Sequence, residues 1–504
     1  MGARTAQEYL AGLNDGREVW IGGESVKDVT SHPALRRGAS SIGAWLDRQH
    51  EAELRDVLTF PSPESGDRVA TSFLRPVTQE DLGKRSAAFL EAARWSGGML
   101  GRTPDYLNSS FMALASASEF FTAVNPEFGR NIEAYFRHLR ENDVVLTHTL
   151  VNPSVNRRLT DQGIPSAQVA LQIVRHTDRG IVVRGARLLA TLGPLADELV
   201  VFPSTSLKDD PSSTRYAFAF AVPCATSGLR FLCRDSYDTG RSVFDAPLSA
   251  RFEEMDAVVV FDDVEVPWER IFLLEDPSSC NSVHSATNSL IHMMHQVVCK
   301  NIAKAEFMVG LLCAMTGANQ RDRAPQTQAQ IAEAMCVVEM MKACLTASEV
   351  NARADQWGTM TPDRMPLDAA RNVFPQQYQR LVELVQLLGS SSLMATPAQA
   401  DLTSAIAGDI DTYFALENLE SPQRIALFRL AQDAAVSGFG ARQALYERFF
   451  FGAPERVAAM LFQAYDKEPL TKRIFDFLDR PDGFAGLTDG SGQRRTASEA
   501  DDGR

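Results

Sequence analysis

The sequence predicts a mainly α-helical chain with a β-domain inserted in its middle. Three observations carry this: a helical apolar period from Thr5 to about Arg140, short branched strands from Val144, and a helical period again after Trp268. The divisions that follow are an N-terminal helical domain (1–143), a central antiparallel β-barrel (144–275), a C-terminal helical bundle (276–482) and a disordered tail (483–504).

The first region is read as helices throughout. Ala6 to Leu13, Phe89 to Trp95 and Phe111 to Phe121 each repeat apolar residues at helical spacing. Asn125 precedes Pro126 and reads as the cap of a helix running to Leu139. The texture changes at Val144–Val151, which is short and rich in branched residues. Gly180–Thr191 reads as a hairpin, followed by strands at Glu198–Phe202, Tyr216–Val222 and Ala257–Phe261. No segment of crossover-helix length separates them, which argues against a dinucleotide-binding βαβ unit. Beyond Trp268, the segments 281–316, 326–357, 378–388, 409–417 and 421–438 read as helices of an up-down bundle. The tail is rich in Gly, Ser, Asp and Arg and poor in hydrophobes.

A formal net charge of −14 argues against nucleic acid or an anionic membrane surface as partner. The seven cysteines are scattered without a CxxC pair, as in a reducing compartment. No signal-peptide pattern and no apolar run of spanning length appear, so the expected location is the cytoplasm.

The residues with most chemical content are Arg102 and Tyr106, in Gly101-Arg-Thr-Pro-Asp-Tyr106, and His148 in the first strand. A permanent cation, a phenolic hydroxyl and an imidazole together could hold one phenol-sized ligand. Isolated, each reads as readily as a surface arginine, a capping tyrosine or a core histidine.

Longer strings add a resemblance. The helix–sheet–helix order resembles the acyl-CoA dehydrogenase architecture. Glu8–Trp20, Val29–Ala34, Gly185–Glu198, Phe261–Phe272, His295–Phe307 and Gly438–Arg448 are similar to the 4-hydroxyphenylacetate 3-monooxygenase oxygenase family, over about residues 5–475. The resemblance implies a two-component aromatic monooxygenase, usually tetrameric. A separate flavin reductase would supply FADH2, which with O2 forms a C4a-hydroperoxyflavin that hydroxylates a phenol ortho to its hydroxyl. The substrates it implies are 4-hydroxyphenylacetate-, tyrosine- or chlorophenol-like compounds, or a tyrosyl unit tethered to a carrier protein.

By the same resemblance Arg102, Tyr106 and His148 would be catalytic and substrate-binding. Ser154, Val155, Asn156 and Arg157 would lie against the flavin. Thr191 would reach it through its hydroxyl, or simply be a branched strand residue. Gly438, Phe439, Gly440 and Ala441 would form a loop approaching the cofactor, or a helix cap. Arg442 is a further candidate for phosphate. Ser204, Thr205 and Ser206 would bind the substrate's side chain, or be ordinary loop residues. The alternative is a flavoenzyme acting on a CoA ester. An iron–sulfur dehydratase of that kind would need cysteines where Arg102 and Tyr106 stand, although His292 and Cys299 keep a suitable spacing. The pair His292 and His295 also suggests a metal, without the accompanying motif that would support one.

Overall fold

The computed structural model describes residues 2–153, 169–203, 207–208 and 210–478. The tail from Gly483 therefore lies outside the described residues. Helices at the N-terminal side are α1 (Ala6–Gly12), α2 (Arg36–Asp47), α3 (Arg55–Leu58), α4 (Gln79–Trp95), α5 (Pro104–Ser116), α6 (Ser118–Val124) and α7 (Pro126–Asn142). Their starts follow local chemistry. Thr5 and Glu8 form a capping box on α1, and Asn125 caps α7 by accepting from the Glu127 N–H at 2.9 Å.

This region is not purely helical, contrary to the reading of its sequence. Strands β1 (Glu18–Ile21) and β2 (Glu24–Val26) form a hairpin, and β3 (Thr59–Pro61) pairs with β4 (Arg68–Ala70). Gly22 and Gly23 join β1 to β2 with φ of 60° and 86°, the left-handed pair that a two-residue hairpin turn requires.

The central strands are β5 (Leu146–Thr149), β6 (Gln172–Thr177), β7 (Gly180–Thr191), β8 (Glu198–Val201), β9 (Phe218–Pro223), β10 (Leu229–Cys233), β11 (Asp256–Pro267) and β12 (Ile271–Leu274). They make two sheets, ordered β2-β1-β10-β11-β7-β6 and β12-β9-β8-β5. Most pairs are antiparallel, but β1 runs parallel to β10 and β5 parallel to β8. The N-terminal hairpin thus completes the larger sheet from a distance in sequence. Phe218, Phe220, Phe231 and Phe261 fill the core of this region.

Gly180–Thr191 is one continuous strand rather than a hairpin. The reversal lies one step earlier, between β6 and β7, where the Thr177 hydroxyl accepts from the N–H groups of Arg179 and Gly180 at 3.2 and 3.1 Å. Gly185 permits the strand to pass close to Ala170, with φ of 129°.

After the short α8 (Ser249–Phe252) come α9 (Pro277–Ala286), α10 (Ser289–Ala318), α11 (Pro325–Val350), α12 (Arg364–Gly389), α13 (Ala407–Phe414), α14 (Ser421–Ala435) and α15 (Gly438–Phe449). The 30-residue α10 is central and packs on α4, α5, α11 and α12, which explains apolar residues on nearly every side of it. Residues from Gly452 form a second unit, with α16 (Pro454–Ala464) and α17 (Glu468–Phe477). No described helix is long and apolar enough to cross a membrane.

The bundle and the sheet region are pinned together by Asp433 on α14. One of its carboxylate oxygens accepts from the N–H groups of Leu248 and Ser249, both at 2.8 Å, and from the Ser249 hydroxyl at 3.1 Å. All three donors are buried. Asp433→Ala strands them and is expected to cost about 1–3 kcal/mol, read as a lower denaturant midpoint than that of Asp433→Asn, which keeps one acceptor oxygen.

Candidate functional site

The turn between α4 and α5 is shaped by glycine. Gly97 and Gly98 have φ of 60° and 71°, and a Cβ on Gly98 would lie 2.9 Å from the Lys304 backbone nitrogen on α10. A Cβ on Gly101 would collide with the Tyr446 ring on α15. Only a chain without these carbons can thread between α10 and α15. Pro104 then starts α5, so Arg102 stands just before the helix and Tyr106 in its first turn.

Arg102 is half-buried among aromatic rings. Its guanidinium carbon lies 4.3 Å from the Tyr106 ring centroid and 3.9 Å from that of Phe450. One arm, Nη2, donates to the Phe450 carbonyl at 3.3 Å; the other, Nη1, is buried without a partner among the described residues. The Arg102 backbone N–H donates to Glu254 at 2.7 Å. The arginine is therefore anchored on one side, and its Nη1 group is left without a partner among the described residues.

His148 arrives from β5. Strand alternation sends Thr147 and Thr149 to the opposite face, where their hydroxyls donate to the carbonyls of Thr191 and Leu188 at 2.6 and 3.1 Å. The His148 ring faces Tyr106, with centroids 5.8 Å apart, and Phe202 at 6.1 Å. Burial, then the charge of Arg102 and the neighbouring His284, hold its imidazole well below the usual histidine range. His148 is accordingly neutral near pH 7. The structure thus brings Arg102, Tyr106 and His148 together, with the rings of Phe202 and Phe450 against them.

A buried ionic network lies against the Phe450 ring, through Lys300. Lys300 and Lys304 on α10 both donate to Glu447 on α15, at 2.5 and 2.6 Å, and Lys304 also donates to Gln443 at 2.7 Å. Burial opposes the charge of Glu447, yet the two lysines hold it down to about 2. Burial brings Lys300 down to about 8 against the pull of Glu447. Gln443 donates to the Met99 carbonyl at 2.9 Å, which ties the network to the glycine turn.

One helical turn earlier, Arg442 donates to Glu254 at 2.9 Å and to both oxygens of Asp256, at 2.8 and 3.1 Å. Its guanidinium is thereby committed to carboxylates within the chain. Thr191 ends β7 with its hydroxyl donating to Asp256 at 2.7 Å, so only its oxygen lone pairs remain for another ligand. Gly438, Phe439, Gly440 and Ala441 form the first turn of α15 rather than a loop, capped by the Ser437 hydroxyl accepting from the Gly440 N–H at 3.1 Å. Gly440 is needed for packing as well: a Cβ there would sit 2.6 Å from the Ala434 carbonyl. Ser154, Val155, Asn156 and Arg157, and likewise Ser204, Thr205 and Ser206, lie outside the described residues.

The remaining histidine candidates have other partners. His295 bonds Glu349 at 2.8 Å, and His292 approaches the Thr361 hydroxyl at 3.4 Å. Among the described residues no cluster of three or more His, Cys, Asp or Glu side chains is placed to hold a metal. The residues that sequence reasoning missed are Tyr446, Phe450, Glu254 and Glu447. The run Phe449-Phe-Phe451 at the end of a polar helix was the available signal.

Comparison with known proteins follows the whole chain. Residues 5–273 match the family model for the 4-hydroxyphenylacetate 3-hydroxylase N terminal, and residues 280–479 match that for the C terminal. The 4-hydroxyphenylacetate 3-monooxygenase oxygenase component of a Geobacillus species is 44% identical over 481 residues, covering 95% of this chain and 97% of that protein. That of Thermus thermophilus is 44% identical over 477 residues, covering 94% and 97%. The crystal structure of such an oxygenase component complexed with FAD and 4-hydroxyphenylacetate superimposes with a TM-score of 0.90 at 44% identity, covering 95% of this chain and 98% of that one.

The depressed His148 has a measurable consequence. In the ligand-free protein its ring resonances should not titrate between about pH 6 and 8, although an unperturbed histidine has a pKa of about 6.5. Because the unfolded state takes up a proton that the folded state refuses, the His148 contribution to stability falls as the pH drops below about 6.5. An NMR titration showing a midpoint near the unperturbed value would contradict the burial argument.

Proposed function

The chain belongs to the 4-hydroxyphenylacetate 3-hydroxylase family, and from that membership we propose how its own residues perform a phenol hydroxylation. The protein is the oxygenase component of a two-component FAD-dependent monooxygenase, receiving FADH2 from a separate reductase and using O2 to hydroxylate a phenol ortho to its hydroxyl. The single observation that carries the assignment of residues is the free, buried Nη1 of Arg102 beside the neutral His148.

The residues fit a flavin. Among the described residues the Asn152 side-chain oxygen is buried without a partner, Thr191 keeps acceptor lone pairs at the end of β7, and the first turn of α15 leaves backbone amides beyond its own ladder. Asn152, Thr191 and Gly438–Ala441 are the described residues that would hold it. Reduced FAD, when bound, supplies with O2 the electrophilic oxygen.

The protein's share of the chemistry is to make the ring electron-rich. The phenol hydroxyl gives its proton to the His148 imidazole, and the phenolate oxygen takes a charge-assisted hydrogen bond from Arg102 Nη1. Proton transfer leaves the net charge unchanged, so an imidazolium–phenolate pair forms beside Arg102 rather than a bare second cation. Tyr106, held against Arg102 by its ring, adds a hydroxyl donor within reach of the same oxygen. The aromatic walls of Phe202 and Phe450 keep water from the reacting oxygen.

The substrate class follows the closer relatives: a para-substituted phenol of the 4-hydroxyphenylacetate kind. The working assembly is a homotetramer in the cytoplasm. A mass of about four times the 55.4 kDa chain, measured in solution, would support the assembly.

The test needs no reductase. Protein mixed with chemically reduced FAD, O2 and 4-hydroxyphenylacetate should yield the 3,4-dihydroxy product. Release of hydrogen peroxide alone, with every phenol tried, would sink the assignment. His148→Ala should slow hydroxylation by about 10²-fold or more with flavin affinity unchanged; loss of flavin affinity would place His148 with the cofactor instead.

A further inference from the structure

The aromatic that covers Arg102 does more than line a pocket. Phe450 follows α15 as its C-terminal cap residue, where backbone carbonyls lack intrahelical partners and carry the negative end of the helix dipole. Its carbonyl accepts from Arg102 Nη2 at 3.3 Å while its ring lies 3.9 Å from the guanidinium carbon. The same ring contacts Tyr106 and Tyr446 edge-on, with centroids 5.6 and 5.3 Å away.

Arg102 on its own is poorly constrained. It leaves an irregular turn, its chain has many rotamers, and Nη1 must face the ligand to be useful. Two contacts from Phe450, one through the backbone and one through the ring face, fix the plane of the guanidinium. They also fix which arm remains free. The position of Phe450 is set in turn by Glu447, one turn earlier on α15 and locked to Lys300 and Lys304. The Lys300 ammonium itself lies 4.7 Å from the Phe450 ring.

We propose that Phe450 is a positioning residue for the hydroxylation: by clamping the Arg102 guanidinium it aims Nη1 at the phenolate oxygen and so sets phenol affinity and ionisation. The proposal rests on the reading of Arg102 as the phenolate anchor. A ring that served only to fill space would influence stability but not the charge state of the bound ligand.

The probe is 4-nitrophenol, whose ionised form is coloured, so one titration reports both affinity and the ionised fraction. It is added to the full-length protein without flavin, and therefore without turnover. Phe450→Leu should weaken binding roughly tenfold and lower the ionised fraction of the bound phenol. Phe450→Met, whose flexible chain can fill the gap but has no π face, should do the same and serves if the leucine variant folds poorly. Phe450→Tyr should restore both readouts. With flavin, the leucine variant should show a higher KM for the phenol and also a lower kcat, because a smaller fraction of the bound phenol is ionised. Wild-type affinity and ionisation in both Phe450→Leu and Phe450→Met, with both lost in Arg102→Lys, would overturn the proposal while leaving the reading of Arg102 intact. Unchanged binding in Arg102→Lys as well would overturn both.

Discussion

Glu447, buried between Lys300 and Lys304, is the interaction on which the site depends. Two ammonium groups and one carboxylate are taken out of water together, which close geometry, the Gln443 acceptor and the ring faces of Phe450 and Tyr378 make tolerable. The cluster fastens α15 to α10. From that fastening, Gln443 reaches the glycine turn, Arg442 reaches Glu254 and Asp256 in the sheet region, and Phe450 reaches Arg102. Helix, turn and sheet therefore meet at one face of α15, and none of Arg102, Tyr106 and His148 sits on it.

Electrostatics explains why the three residues differ in role. Arg102 keeps its charge in a setting of ring faces and a helix C-terminus, both of which favour a cation. That same charge, added to burial, keeps His148 neutral and therefore able to accept a proton. Negative charge formed on a ligand oxygen beside Arg102 would offset that repulsion, while burial, the larger cause, would remain. Such a setting suits a ligand that can give up a proton.

Much of this was legible in the sequence, and for identifiable reasons. Apolar period marked α4, α5, α7 and the bundle helices, and the Asn125–Pro126 pair marked a helix start. The motif Gly101–Tyr106 and His148 could be named because their residue types are few and chemically distinctive. The strands β1 and β2 escaped because each is only three or four residues long, and β10, the parallel partner of β1, lies some two hundred residues away. The Gly180–Thr191 strand was misread because Gly185 looks like a turn, whereas it serves a close approach. Phe450 and Glu447 were invisible for a different reason. Their function is a relation to Arg102 and the lysines across the bundle, which no local pattern encodes.

The central claim is that the buried ion cluster acts on the ligand through Arg102, and a double-mutant cycle tests it most directly. Phenol affinity is measured calorimetrically for wild type, Arg102→Lys, Glu447→Gln and the double variant. Glu447→Gln should weaken binding in the wild-type background and have little further effect once Arg102 is lysine, a coupling of about 1 kcal/mol or more. Strictly additive losses would mean that the cluster holds the fold alone and does not orient the residue that holds the phenol.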